Sequence, residues 1–372
     1  MKITILNWRD TRHPLAGGAE ISLFEQAKYW QKRGAEITWY SSHFPNGQKE
    51  ETNEGIRVIR TGSHYTTHLC TFFLYKKNIC ASDLVIDSFH FVPFFTPFYV
   101  KKPKIIALIN EPAKHVWFKN LYPPFSLIGF LLEQFFFLFY RDIPFITAAE
   151  SIASELISYG IQRKNISIIP HGVSSILPKE KKKDKIPTII YLAQIAQDKG
   201  IEDAIEAVKI LLKKQNIFFW IVGKCDNENY MTKIKQLLNI SNMGKNTTIF
   251  GFVSEKEKFD LLSRAFVLIH PSIREGWGLN VIEANSVGTP AVGYNVSGLK
   301  DSIQHMETGL LINHMSPLGL VDGIEKLITD RDLYKKLSGN AVIWAKNFTW
   351  EKTGRESWEL LKKVYERKKN NN

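Results

Sequence analysis

Short apolar runs alternate with helix-like segments along this chain, and the alternation stops once and then restarts. In the first half the runs are Ile3 to Leu6, Ile37 to Tyr40, Ile56 to Arg60, Leu84 to Ile86, Ile105 to Ile109, Phe145 to Thr147 and Ile166 to Ile169. Helical segments such as Ala19 to Lys32 and Glu150 to Tyr159 lie between them, each followed closely by a glycine. Parallel strands need long crossovers, which are usually helices, so this order predicts a parallel α/β sheet. The pattern breaks at Pro178 to Lys185, a lysine-rich stretch that reads as a solvated linker. It resumes with Thr188 to Leu192, Phe218 to Val222, Thr248 to Phe250, Val267 to His270, Ala291 to Gly293 and Gly309 to Ile312. Two Rossmann-like α/β domains, 1–177 and 186–345, facing across an interdomain cleft, are the expected architecture.

Composition bounds the function without choosing it. A chain of 372 residues suits two domains of roughly 150 residues each. A hydrophobic share of 44% supports large cores and excludes a disordered chain. The formal charge of +12 suits an anionic partner: nucleic acid, anionic lipid or a phosphorylated small molecule. No basic-aromatic module for nucleic acid is recognisable, so that partner is not expected. Cys70, Cys80 and Cys225 form neither a metal-ligand nor a disulfide pattern, which points to a reducing cytoplasm. Met1 to Leu6 reads as a first strand, not as a signal peptide.

The chemistry concentrates in Arg274-Glu-Gly-Trp-Gly-Leu-Asn-Val-Ile-Glu283. It follows an apolar run and precedes a helical segment, so the order is strand, glycine turn, helix. Glu275 would project from the loop, and Gly276 and Gly278 would let backbone approach a ligand. A helix starting near Leu279 would offer its amides and positive dipole end, and Glu283 would lie one turn in. Two carboxylates suit hydroxyl groups, and a nest of amides suits an anion. A sugar attached to a diphosphate carries both.

Together with Gly288-Thr-Pro290 and Gly298, this stretch resembles the nucleotide-sugar-binding signature of family-4 retaining glycosyltransferases of the GT-B fold. The resemblance implies that Glu275 fixes sugar hydroxyls, that Glu283 binds the ribose, and that Trp277, Leu279 and Asn280 lie on the donor side. It also implies that the final helix, about 350–368, crosses back onto the first domain. Gly17 and Gly18, after the first strand, resemble the family's glycine loop facing donor and acceptor. Gly251-Phe252-Val253 resembles the turn that touches the nucleobase. Ala193 to Gly200 resembles a loop carrying an arginine and a lysine for the leaving diphosphate; Lys199 matches, but Gln194 stands where the arginine is expected. A glutamine supplies no charge there.

Residues of the first domain are less constrained. After Ile109 the loop reads Asn110-Glu-Pro-Ala-Lys-His-Val-Trp-Phe118, and Glu111, then His115, are the candidates to face the anomeric carbon. His171, after a strand, reads either as structural or as facing the cleft. No essential metal or other cofactor is expected: Asp330-Arg-Asp332 reads as a helix cap, Asp226-Asn-Glu228 likewise, and His64 with His68 lacks a third ligand. Phe125 to Tyr140 is too short and too interrupted to span a bilayer. It reads either as a core helix or as an interfacial helix at an anionic membrane, downstream of Lys101, Lys102, Lys104, Lys114 and Lys119. The expected protein is a cytoplasmic, peripherally membrane-associated glycosyltransferase moving sugar from a nucleotide diphosphate sugar to a glycan or lipid-linked acceptor. A nucleotide-sugar epimerase and a catalytically weak partner subunit are the alternatives.

Overall fold

The computed structural model describes residues 1–75, 79–89, 92–114, 117–120, 122–174 and 183–370. The chain divides into two compact units, Met1–Gly172 with Trp350–Asn372, and Val173–Thr349.

The first unit opens with β1 (Lys2–Leu6), α1 (Gly18–Lys32), β2 (Glu36–Ser41), β3 (Glu50–Asn53) and β4 (Ile56–Arg60). It continues with α2 (Thr67–Leu74), β5 (Leu84–Phe89), β6 (Ile105–Ile109), α3 (Trp117–Asn120) and α4 (Phe125–Phe139). β7 (Phe145–Thr147), α5 (Glu150–Ser158) and β8 (Ile166–Ile168) complete its sheet, in the order β3-β4-β2-β1-β5-β6-β7-β8. All pairings are parallel except β3 with β4. Apolar side chains bury both faces, one against Leu23, Ala27 and Trp30 of α1, the other against Phe137 of α4 and Leu156 of α5. Burial on two sides is why these strands read as continuous apolar runs.

The second unit contains β9 (Thr188–Leu192), α6 (Ile201–Leu212), β10 (Phe218–Val222), α7 (Glu228–Ile240), β11 (Thr247–Gly251) and α8 (Glu255–Arg264). Then follow β12 (Val267–His270), α9 (Leu279–Ser286), β13 (Ala291–Tyr294), α10 (Leu299–Ser302) and β14 (Gly309–Ile312). Two helices, α11 (Pro317–Thr329) and α12 (Arg331–Ala345), close it. Its sheet is wholly parallel, ordered β11-β10-β9-β12-β13-β14. That is the 3-2-1-4-5-6 order of a dinucleotide-binding sheet.

The boundary falls at Gly172/Val173, ahead of the lysine-rich stretch expected to be the linker. Residues 175–182 of that neighbourhood lie outside the described residues. Lys183 and Asp184 belong to the second unit: Lys183 bonds Thr289, and Asp184 pairs with Arg264 at 3.2 Å. The second unit also extends beyond 345, because Val173 N donates to Phe348 O at 3.1 Å. The last helix, α13 (Trp350–Asn370), packs in the first unit. Ser357 Oγ accepts from Trp30 Nε1 at 2.9 Å, Thr353 Oγ1 donates to Pro170 O at 2.7 Å, and Leu361 joins the α1 side of the core.

Candidate active site

In the second unit the strand order reverses between β9 and β12. Ligands of open α/β sheets bind outside the carboxyl ends of the strands at such a switch point. The loops leaving these two strands are the ones holding Lys199 and Glu275. They are joined by Ile273 N donating to Asp198 O at 3.1 Å. Gly200 has φ +70°, and a Cβ there would sit 2.1 Å from Pro271 O, so only glycine allows this approach. Gly298 does the same for the other loop: its Cβ position is 2.3 Å from Glu275 O.

This packing brings Lys199 Nζ to 2.8 Å from Glu275 Oε1. Ser272 Oγ donates to the same oxygen at 3.0 Å, and His270 Nε2 stands 3.9 Å away. Burial alone would raise the Glu275 carboxyl, but Lys199, His270 and Ser272 together hold it below the usual carboxylate range. Burial pushes His270 down, towards its neutral form. The sequence offered Lys199 for phosphate and Glu275 for hydroxyls as separate tools; here each is the other's partner. Ser272 and His270 were missed, because an isolated serine and a histidine ending a strand carry no motif of their own.

α9 begins just after Gly278, whose φ of +85° turns the chain into the helix. The donor-side residues there divide into open and committed groups. Asn280 Oδ1 meets His270 Nε2 at 2.9 Å, and its Nδ2 donates to Leu192 O, so its side chain ties α9 to the ends of β9 and β12. Trp277 is only 4% exposed and packs edge-on against Phe348, with ring centroids 5.1 Å apart. These two side chains are held by the protein itself, while positions 277 and 280 keep their backbone groups in the turn and at the helix start. Gly276 and Leu279 lie in the turn and at the helix start, as expected from the sequence. Glu283 is buried and pairs with Lys258 of α8 at 2.7 Å; burial pushes its carboxyl upward against the pull of that lysine. Lys258, within Glu-Lys-Glu-Lys258, carries no motif of its own in the sequence.

Gln194 Nε2 donates to Asp226 Oδ2. A cation does stand at this edge of the sheet. Ile195 N donates to Lys224 O at 2.7 Å, and Lys224 Nζ lies 4.5 Å from the Phe252 ring centroid. Phe252 is 74% exposed in the turn after Gly251, which has φ +70°, while Val253 packs towards the core. Lys224 was not singled out, since a lone lysine after a strand has no signature.

In the first unit, Gly17 precedes α1 and Gly18 is its first residue. The Gly17 amide donates to Glu20 Oε2 at 2.8 Å, and the buried Glu20 pairs with Arg9 at 3.1 Å. That amide is committed to a carboxylate of its own helix. Glu111 is half-buried beyond the end of β6; His115 lies outside the described residues. His171 is buried, and burial lowers its pKa to about 4. It lines a cavity of about 10 Å³ with Asn110, Thr147 and Gln26, whose Nδ2, Oγ1 and Oε1 atoms are buried without partners. That is room for about one water, not for a substrate. His64 meets Trp8 at a tilt and His68 stacks on Phe94, so the two histidines have separate partners. Among the described residues no three His, Cys, Asp or Glu side chains gather as a metal site. Asp330 caps α12 through Leu333 N at 2.9 Å, and Asn227, not Asp226, caps α7.

Two α/β units of this construction, with basic and acidic loops meeting at the switch point of the second, define a GT-B protein. Residues 174–344 match the family Glycosyl transferases group 1, and residues 16–175 match Glycosyltransferase Family 4. The chain belongs to this glycosyltransferase family. It is 26% identical over 252 residues to the capsular polysaccharide biosynthesis glycosyltransferase CapM of Staphylococcus aureus, covering 63% of this chain and 64% of that protein. It is 26% identical over 215 residues to a D-inositol 3-phosphate glycosyltransferase of Paenarthrobacter aurescens, covering 54% and 52%. The matches thus span about half to two thirds of these relatives. Among solved structures, sucrose-phosphate synthase from Thermosynechococcus elongatus superposes with a TM-score of 0.81 at 17% identity, covering 98% of this chain and 99% of that one. Anabaena HepE in complex with UDP and glucose superposes at 0.76 with 16% identity, covering 98% and 100%. At these identities the likeness is one of fold.

Proposed function

We propose that the chain transfers a sugar from a nucleotide diphosphate sugar to a glycan, lipid-linked or other cell-envelope acceptor, with retention of anomeric configuration. The observation that carries this reading is the meeting of Lys199 and Glu275 at the β9/β12 switch point, beside the start of α9. A donor would replace one ion pair by two contacts: Glu275 accepting from sugar hydroxyls, and Lys199 donating to the diphosphate. The charge growing on the leaving diphosphate would be met by Lys199 and the backbone amides of Gly278 to Asn280. Glu283 binds the ribose in this reading, and the 251–253 turn receives the base. Glu111 is the first unit's candidate catalytic residue in this reading. The bond from anomeric carbon to phosphate oxygen breaks, and its electron pair leaves with the phosphate. The acceptor oxygen bonds the same face while its proton passes to the departing phosphate oxygen. No metal or other cofactor is invoked.

The HepE complex with UDP and glucose supports this donor class, and the capsular role in CapM's name supports an envelope acceptor. The setting proposed is the cytoplasmic face of an anionic membrane. Thermal-shift titration against a panel of nucleotide sugars tests the donor, since a bound ligand raises Tm by mass action. Product analysis of the stabilising donor, with and without acceptor, then tests the reaction. Conversion of the donor without any acceptor would make the protein an epimerase. Binding with neither transfer nor donor hydrolysis would make it a partner subunit, the reading that the uncharged Gln194 favours.

A further inference from the structure

α4 is built inside out. Its buried stripe is Ser126, Gly129, Glu133 and Phe137, at helical spacing. Glu133 is 2% exposed and accepts three N–H groups: Ala113 N at 2.5 Å, Lys114 N at 2.8 Å and Trp117 Nε1 at 3.1 Å. Gly129 lies under the Trp117 ring, where a Cβ would come within 2.5 Å. Tyr140, just past the helix, anchors its end by donating to the buried Asp87 at 2.5 Å. Apart from Phe137, the stripe that faces the protein is polar or small, and most of the apolar residues face out. Phe125, Ile128, Leu131, Leu132 and Phe135 are each 43–66% exposed. The surface continues through Phe139, which meets Phe98 at 4.6 Å, to α2, where Phe72 meets Tyr99 at 5.2 Å and Phe73 is exposed. A monomer rarely leaves so large an apolar patch in water.

Charge selects the cover. Among the residues from 63 to 142 whose exposure is described, the exposed charged side chains are Lys101, Lys102, Arg141 and Asp142, and Asp142 is paired with Lys102 at 3.3 Å. Lys101 and Lys102 follow Phe98 and Tyr99 after Val100, and Arg141 follows the helix end. No described helix is long and apolar enough to cross a membrane. An apolar helix face bordered by cations, too short to span, matches the physics of an interfacial helix.

We propose that the outward face of α4, with Phe98 and Phe73 beside it, docks the first unit onto an anionic lipid surface. This deepens the membrane setting proposed above by naming its surface. The inward face of the same helix holds Ala113, Lys114 and Trp117, which follow Glu111 in sequence, so docking and the neighbourhood of that candidate residue share one support.

Flotation of the full chain with vesicles of phosphatidylcholine, alone or with about one third phosphatidylglycerol, tests the proposal and needs no donor. The wild-type chain floats with the anionic vesicles. Leu131→Glu/Phe135→Glu and Lys101→Glu/Lys102→Glu each lower the bound fraction roughly tenfold or more, the first by charging the apolar face and the second by losing lipid attraction. Unchanged Tm for the variants shows that they fold, and unchanged transfer to a water-soluble acceptor separates docking from catalysis. A wild-type chain that stays unbound, or variants that float equally, overturns the proposal. A wild-type dimer that Leu131→Glu/Phe135→Glu dissociates overturns it in favour of a second copy as the cover.

Discussion

Lys199 and Glu275, 76 residues apart, form an ion pair of 2.8 Å at the switch point of the second unit's sheet. Each side chain is less than a fifth exposed, so the pair is screened less than a surface bridge and still reachable by a ligand. The pairing holds the two groups in place before any donor arrives. It also means that donor binding must offer each of them something better than the other.

The pair should be visible in the pH dependence of stability. Glu275 is held below the usual carboxylate range, so its contribution is fully present above the unfolded value of about 4.3 and lost as pH falls through the lower folded value. Glu275→Gln leaves Lys199 without its carboxylate and should cost about 1–3 kcal/mol near neutrality. The difference in Tm between the two proteins should be largest above about pH 5 and should shrink as the pH is lowered below the glutamate range. A pH-independent difference would show that the ion pair does not cause it.

Gln194 gives a second expectation, altered by its contact with Asp226. An arginine introduced alone would meet the Asp226 carboxylate first. Gln194→Arg should therefore change donor Kd little, while Gln194→Arg with Asp226→Asn should lower it about fivefold to tenfold, a non-additive pair. Calorimetric titration of both variants and of Asp226→Asn alone checks this. Equal effects of the single and the double substitution would rule out competition by Asp226.

Gly200 is the backbone device behind the pair. A Cβ at φ +70° and 2.1 Å from Pro271 O must move one loop off the other. Gly200→Ala should destabilise the protein by more than about 1 kcal/mol and should weaken donor binding, although no side chain that touches donor has changed. An alanine variant with wild-type Tm and donor Kd would mean that the loops do not depend on this approach.

Much of the architecture was legible because buried parallel strands are written as apolar runs, and each expected run from Ile3 to Ile312 falls on a strand. β3 was not legible: Glu-Glu-Thr-Asn has no apolar face, and it pairs antiparallel at the edge with Arg57 bonded to Glu50 at 2.6 Å. The loops holding Lys199 and Glu275 could be placed by motif, but their mutual contact depends on tertiary packing and could not. The same holds for Lys258 beside Glu283 and for Trp277, whose place in the core is fixed by Phe348 far along the chain. α4 shows the limit most plainly. Its composition is apolar almost throughout, and the tertiary partners of Glu133 and Gly129 reveal which face is turned inward.

The most direct test of the site is the rate of sugar transfer by Glu275→Gln, measured with the donor identified by thermal shift and a matched acceptor. If Glu275 holds the sugar in the transition state, kcat should fall about 10²-fold or more while the protein remains folded and Lys199 still binds the diphosphate. Wild-type transfer by the folded variant would contradict the assignment of Glu275, and with it the donor site built around its pair with Lys199.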